Sequence, residues 1–299
     1  MSKSIIGSEL GLLLLMSTLS GASYSLTKIG IETIPPVTLI AARTVIAASI
    51  LLLLLAWRGV KLPRQIDDWK RFGVQACLHS ALPFTLVAWA QQHTDAAIAV
   101  ILNSAAPIFV FAIKSLQRNE PIPLRSLCGA AIGFLGVCLV VGLGPGGSHR
   151  EIDLLAYGAI IAAAICYAGA ALFGRTFREL DPMVPAAGSL ICGACVLVPL
   201  SIGLERPWQL APSDSSLLAL LGLSFFVTAL SFTIYFRLVG TVGPVATTTQ
   251  SYLRVPIGIF IAVVFLGERL SSTVWGGLLL ILVGVTAMTL PHRRQLLAK

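Results

Sequence analysis

From end to end the chain is divided into ten apolar segments of about twenty residues, parted by short polar links. A membrane-crossing helix needs roughly 20 mostly apolar residues. In the bilayer core each backbone N–H and C=O must find its partner inside the segment, which leaves helices as the way to satisfy such a pattern. The segments run over 8–28, 37–57, 71–91, 95–115, 125–143, 154–174, 183–203, 215–237, 244–266 and 272–290. The links carry turn residues, as in Pro35-Pro36, Gly144-Pro145-Gly146-Gly147 and Gly243-Pro244. The shortest, 91–95 and 238–243, predict tight helical hairpins. Only 11% of residues are charged, against about 25% in soluble domains. The polar stretches Arg58–Arg71 and Gln117–Ser126 are loop-sized. The apolar run within Met1–Tyr24 is long and lacks an A-x-A cleavage site, so it reads as the first span and not as a leader.

The net charge of +8 does not point to nucleic acid, because the basic residues are scattered among apolar segments. Topology accounts for them. With the N-terminus cytoplasmic, one side holds Lys3, Arg58, Lys61, Arg64, Lys70, Arg71, Lys114, Arg118, Arg125, Arg175, Arg178, Arg237, Arg293, Arg294 and Lys299. The other holds Lys28, Arg150, Arg206 and Arg269, so fifteen against four predicts both termini in the cytoplasm. All six cysteines lie in apolar runs and read as packing residues. No zinc-type ligand spacing surrounds Cys192 and Cys195, and no metal or other cofactor is expected.

The two halves resemble each other. Glu120, Gly129 and Gly136 recur as Glu268, Gly277 and Gly284 at an offset of 148, and Pro107-Ile108 and Phe111 recur as Pro256-Ile257 and Phe260 at 149. Lys28 and Arg175 close the first and sixth spans in corresponding places. Each copy has five spans, and an odd number makes the second copy insert upside down. The expectation is an all-α integral membrane protein: ten transmembrane helices in two inverted five-helix repeats, 1–145 and 146–299, around a central cavity. Inverted repeats are the architecture of alternating-access carriers, whose site lies near the midplane between the copies.

Polar side chains within the spans mark that site. Arg43 and Arg254 are the basic residues well inside spans, and an arginine there costs about 2.5–3.5 kcal/mol on insertion scales. Thr247, Gln250, Ser251 and Arg254 share one face of the ninth span, and Ser17, Ser20 and Tyr24 one face of the first. His79 sits midway along the third. Mid-span prolines add freed carbonyls: Pro83 frees that of His79, Pro107 that of Asn103 and Pro256 that of Tyr252. Freed carbonyls beside polar side chains suit a small zwitterion, whose ammonium needs acceptors. The candidate cavity residues are therefore His79, Trp89, Asn103, Gln250, Tyr252, Arg254, Tyr24 and Ser20, with Pro83, Pro107 and Pro256 as helix breaks for gating. Each has a plainer reading. Arg254 and Arg43 would tie to helix carbonyls, His79 would be a satisfied interior histidine, and Trp89 and Tyr252 would be aromatic packing. The glycines at 129, 133, 136, 277 and 284 read as close-packing faces, and Glu120 and Glu268 as braces of helix ends.

The pattern Ala97…Pro107-Ile108…Glu120…Gly129…Gly136, repeated as Ala246…Pro256-Ile257…Glu268…Gly277…Gly284, resembles the paired EamA domains of the drug/metabolite transporter superfamily over essentially the whole chain. Within it the chain is most similar to the YddG-type amino acid exporters. The resemblance implies a multi-pass carrier of the bacterial inner membrane, a monomer whose partners are the lipid bilayer and a small-molecule substrate. It implies export of amino acids, aromatic and other neutral ones among them, with the fifth and tenth helices at the periphery. The alternative is export of another small metabolite or drug, with proton coupling. Enzyme signatures such as His-Glu-x-x-His or Gly-x-Ser-x-Gly are absent, as is a phosphate-binding Gly-x-x-x-x-Gly-Lys loop. None of the thirteen carboxylates falls at a span centre, which predicts facilitated diffusion over proton coupling.

Overall fold

The computed structural model describes residues 3–118, 124–141, 151–241, 243, 247 and 250–289. Among them there are helices and no strand. We number the helices α1 (Lys3–Gly30), α2 (Pro36–Trp57), α3 (Ile66–Ala90), α4 (Ala96–Asn103), α5 (Ala106–Arg118), α6 (Leu124–Val141), α7 (Glu151–Phe173), α8 (Met183–Leu204), α9 (Asp214–Thr241), α10 (Gln250–Leu266) and α11 (Ser272–Thr289). Seven stretches are long and apolar enough to cross a membrane: 9–30, 36–57, 66–90, 96–114, 152–177, 183–204 and 214–241. Shorter apolar helices cover 128–140, 253–266 and 272–284, where the sequence predicts the fifth, ninth and tenth spans. The predicted bounds 143, 244 and 290 of those three lie outside the described residues.

The predicted fourth span is broken. Pro107 has no N–H to offer Asn103, and the helix opens into a turn at Ser104–Ala105 between α4 and α5. α10, by contrast, continues through Pro256. Two long helices contain π-helical turns, Cys77–Ala81 in α3 and Leu223–Leu230 in α9. Such turns carry an extra residue per turn and recur at functional sites.

The packing follows from small residues. α6 lies against α11, α2 against α8, and α1 against α10. A Cβ on Gly136 would sit 2.6 Å from the Gly277 carbonyl oxygen, and one on Gly284 would collide with the backbone of Gly129 and Gly133. So Gly136 meets the repeat-mate of Gly129, and Gly284 meets Gly129 itself. The two equivalent helices therefore touch reciprocally and run antiparallel. Large apolar side chains such as Leu53, Phe134, Phe265 and Leu279 stay exposed on the outside of the bundle, where lipid would cover them.

Polar contacts gather the loops at the two ends of the bundle. At one end the Glu268 carboxylate accepts from the N–H groups of Ala96 (2.8 Å) and Ala97 (2.9 Å), and Glu205 accepts from Val37 (3.1 Å) and Thr38 (2.6 Å). Each carboxylate satisfies the orphan donors and positive dipole end of a helix from the other half of the chain. Gly267, at φ +68°, turns the chain so that Glu268 can reach. Glu120, the residue predicted to match Glu268, lies outside the described residues. At the same end Lys28 donates to the carbonyls of Gln91 (2.6 Å) and Thr94 (2.8 Å). At the other end Arg237 pairs with the buried Glu9 at 3.0 Å, and Arg58 with Asp181 at 3.6 Å.

Candidate functional site: a cavity holding two arginines

The cavity is built where α1 and α10 come closest. Gly21 and Gly258 have no side chains to hold these helices apart: a Cβ on Gly21 would lie 2.9 Å from the Arg254 carbonyl oxygen, and one on Gly258 3.3 Å from that of Gly21. This approach brings the polar faces of both helices to one space. Ser20 and Tyr24 of α1, together with Gln250 and Arg254 of α10, line a cavity with about 890 Å³ of empty space, open solvent at its mouth included. Thr247 joins them from just before α10. The opposite walls come from Arg43 of α2, His79 and Phe84 of α3, Tyr167 of α7, and Ser231, Phe232 and Tyr235 of α9. No Asp or Glu is among the described lining residues.

Two guanidinium groups dominate its electrostatics, with 7% of Arg254 and 4% of Arg43 exposed. Arg254 Nη2 donates to the carbonyl of Asn103 at 3.0 Å, the acceptor that Pro107 leaves free. Its guanidinium lies 5.6 Å from the centre of the Tyr24 ring, and Asn103 Nδ2 donates to the Tyr24 hydroxyl at 2.6 Å. Asn103 thus fixes both partners from behind the cavity wall. Among the described residues, Arg254 Nε is buried without a hydrogen-bond partner, as are Asn103 Oδ1 and Gln250 Oε1. Unmade buried hydrogen bonds cost about 1–3 kcal/mol each. Those of Arg254 and Gln250, which line the cavity, are what a ligand would satisfy.

Arg43 is held differently. Its Nε donates to Thr228 Oγ1 at 2.5 Å, and its guanidinium lies 4.0 Å from the centre of the Phe84 ring. Thr228 stands in the π-helical part of α9 and donates in turn to the Leu223 carbonyl at 2.8 Å. A cation over an aromatic face gains about 0.5–2 kcal/mol, part of the cost of burying it. His79 comes from the other π-helical turn. Its ring stacks on Phe232 at 4.5 Å and leans on Tyr235 at 4.1 Å.

Of the residues predicted from sequence, Ser20, Tyr24, His79, Gln250 and Arg254 meet at this cavity. Asn103 stands directly behind it. Trp89 lies away from it and packs edge-on against His93 at 5.2 Å. The Tyr252 side chain lies outside the described residues. Pro83 follows the π-helical turn of α3, Pro107 the break before α5, and Pro256 lies two residues beyond Arg254 in an unbroken helix. Tyr167, Phe84 and the α9 wall of Ser231, Phe232 and Tyr235 line the cavity without standing among the residues predicted from sequence. A stripe of Thr228, Ser231 and Tyr235 at helical spacing is the signal in the sequence for that wall.

Helices that present apolar residues outward and enclose a polar, charged cavity define a membrane transporter. The model of the EamA-like transporter family matches residues 7–142 and again 154–290. The chain belongs to the EamA-like transporter family, with two copies of its domain. It is 27% identical over 286 residues to "Uncharacterized inner membrane transporter YedA" of Escherichia coli, covering 94% of this chain and 90% of that protein. It is 25% identical over 276 residues to "Uncharacterized transporter YvbV" of Bacillus subtilis, covering 92% and 89%. It is also 25% identical over 287 residues to the "Probable amino-acid metabolite efflux pump" of Salmonella typhimurium, covering 92% of each. A solved structure named only "Crystal structure of protein" shares the fold at a TM-score of 0.68, with 19% identity over 93% of this chain and 97% of that one.

Proposed function

We propose that this membrane transporter exports amino acids from the cytoplasm, aromatic and other neutral ones among them, by alternating access of the cavity between two inverted halves. The observation that carries the reading is the buried Arg254 beside neutral acceptors that have no partner among the described residues. A solute carboxylate would take the guanidinium, whose fork suits it. An ammonium would be met by the amide oxygen of Gln250, and an apolar side chain by Phe84 and Phe232. The relative named an amino-acid metabolite efflux pump supports the same solute class. The antiparallel contact of α6 with α11 supports the inversion, and the uneven sharing of basic residues supports cytoplasmic termini in an inner membrane. Ten spans follow if the three shorter apolar helices cross with the seven long ones.

The cavity walls offer no described carboxylate to carry a proton, and guanidinium groups stay charged. Export is therefore facilitated diffusion down the gradient of the amino acid. In liposomes holding the purified chain, a substrate gradient alone should drive saturable flux, with no pH or sodium gradient present. Accumulation against the substrate gradient when a pH gradient is imposed, persisting in His79→Ala, contradicts this.

A further inference from the structure

One guanidinium suffices to hold an α-carboxylate, yet the cavity has two. Arg43 is as deeply buried as Arg254 and lines the same space, on the wall formed by α2, α3 and α9. Among the described residues its side chain makes one hydrogen bond, from Nε to Thr228, and one stacking contact, on Phe84. Neither partner is anionic. No described salt bridge reaches Arg43 or Arg254, and no Asp or Glu is described in the lining. Buried charges in proteins are otherwise paired with an opposite charge.

A zwitterion brings no net charge. It would neutralise Arg254 locally and leave Arg43 facing the same cavity uncompensated. An amino acid with a second acidic group supplies the missing anion. The second arginine is also held at a fixed angle, by its bond to Thr228 and the flat face of Phe84. That is how a guanidinium is set to receive a carboxylate and not to swing as a tether.

Resting on the amino-acid reading above, we propose that Arg43 forms a second anion subsite, so that amino acids with an acidic side chain are preferred to their isosteric amides. The α-carboxylate is held by Arg254 and the side-chain carboxylate by Arg43. Glutamate and glutamine have nearly the same shape, so the comparison isolates the charge.

The test is uptake of labelled glutamate and labelled glutamine by liposomes containing the purified full chain. A charge-assisted hydrogen bond gives an expected glutamate-to-glutamine ratio in kcat/KM of about ten or more. In Arg43→Gln the ratio should fall to near one, and in Arg43→Lys it should lie between. Monodispersity and melting temperature establish that each variant is folded. A wild-type ratio at or below one overturns the proposal, as does an unchanged ratio in folded Arg43→Gln. If that variant does not fold, the wild-type and Arg43→Lys ratios decide on the same terms. Uptake of neither amino acid removes the amino-acid reading instead. Glutarate and its monoamide, offered to the same vesicles, then decide the subsite by the same ratio.

Discussion

Replacing Arg254 with alanine should reduce amino acid flux about ten- to a hundredfold, the loss expected for one charge-assisted hydrogen bond to the solute. The fold should survive, because the residue's one described protein hydrogen bond goes to the carbonyl of Asn103. Removing the side chain leaves that carbonyl beside a cavity that water can enter. Arg254→Lys keeps a positive charge but not the planar fork, and should fall between wild type and alanine. The check is initial uptake rate in liposomes, read beside the melting temperature in detergent. A folded Arg254→Ala protein with undiminished uptake would reduce this arginine to a tie between α10 and α4.

The largest structural effect is expected from Gly284→Leu or Gly136→Leu. The contact of α6 with α11 is backbone against backbone, so a side chain has no pocket to enter. At Gly136 the first added carbon would meet Gly277 O at 2.6 Å and Ile281 N at 2.7 Å. Overpacking in a rigid contact costs about 1–3 kcal/mol, and more where backbone must move. Gly276, beside Gly277 in sequence, has nothing within 4 Å of its would-be Cβ. Gly276→Leu should therefore leave the protein intact while Gly284→Leu and Gly136→Leu lower the yield of monodisperse protein severalfold. Size-exclusion profiles and melting temperatures separate the two results. Equal behaviour of all three variants would mean that the glycine faces are not what joins these helices.

Seven of the spans, the doubled pattern and the glycine faces were legible because each is written in spacing alone. Hydrophobic length announces a membrane helix, and an offset shared by Glu120, Gly129 and Gly136 announces a repeat. The cavity was half legible. The stripe of Thr247, Gln250 and Arg254 keeps helical spacing, and it lines the space as its period suggests. On α9 the wall residues Ser231, Phe232 and Tyr235 follow the π-helical turn at Leu223–Leu230, and Phe and Tyr in so apolar a helix look like ordinary packing. That wall was therefore missed. Pro107 did free the carbonyl of Asn103, but its taker is the guanidinium of Arg254. Which of two donors reaches an acceptor depends on how closely α1, α4 and α10 approach, and this rests on contacts between residues far apart in sequence.

Alternating access requires that one cavity open to one side of the membrane at a time. Thr27 and Thr247 both line it. α1 and α10 run parallel, with Ser17 against Gln250 and Gly21 against Gly258, so Thr27 lies beyond that contact toward one end and Thr247 before it toward the other. The measurement is labelling of Thr27→Cys and Thr247→Cys with an impermeant thiol reagent, in a background lacking the six native cysteines, applied from each side of the membrane. Thr27→Cys should react only from outside and Thr247→Cys only from the cytoplasm, and a solute that shifts the carrier should raise one rate as it lowers the other. Reaction of both positions from the same side, or rates that rise together, would contradict alternating access between the two halves.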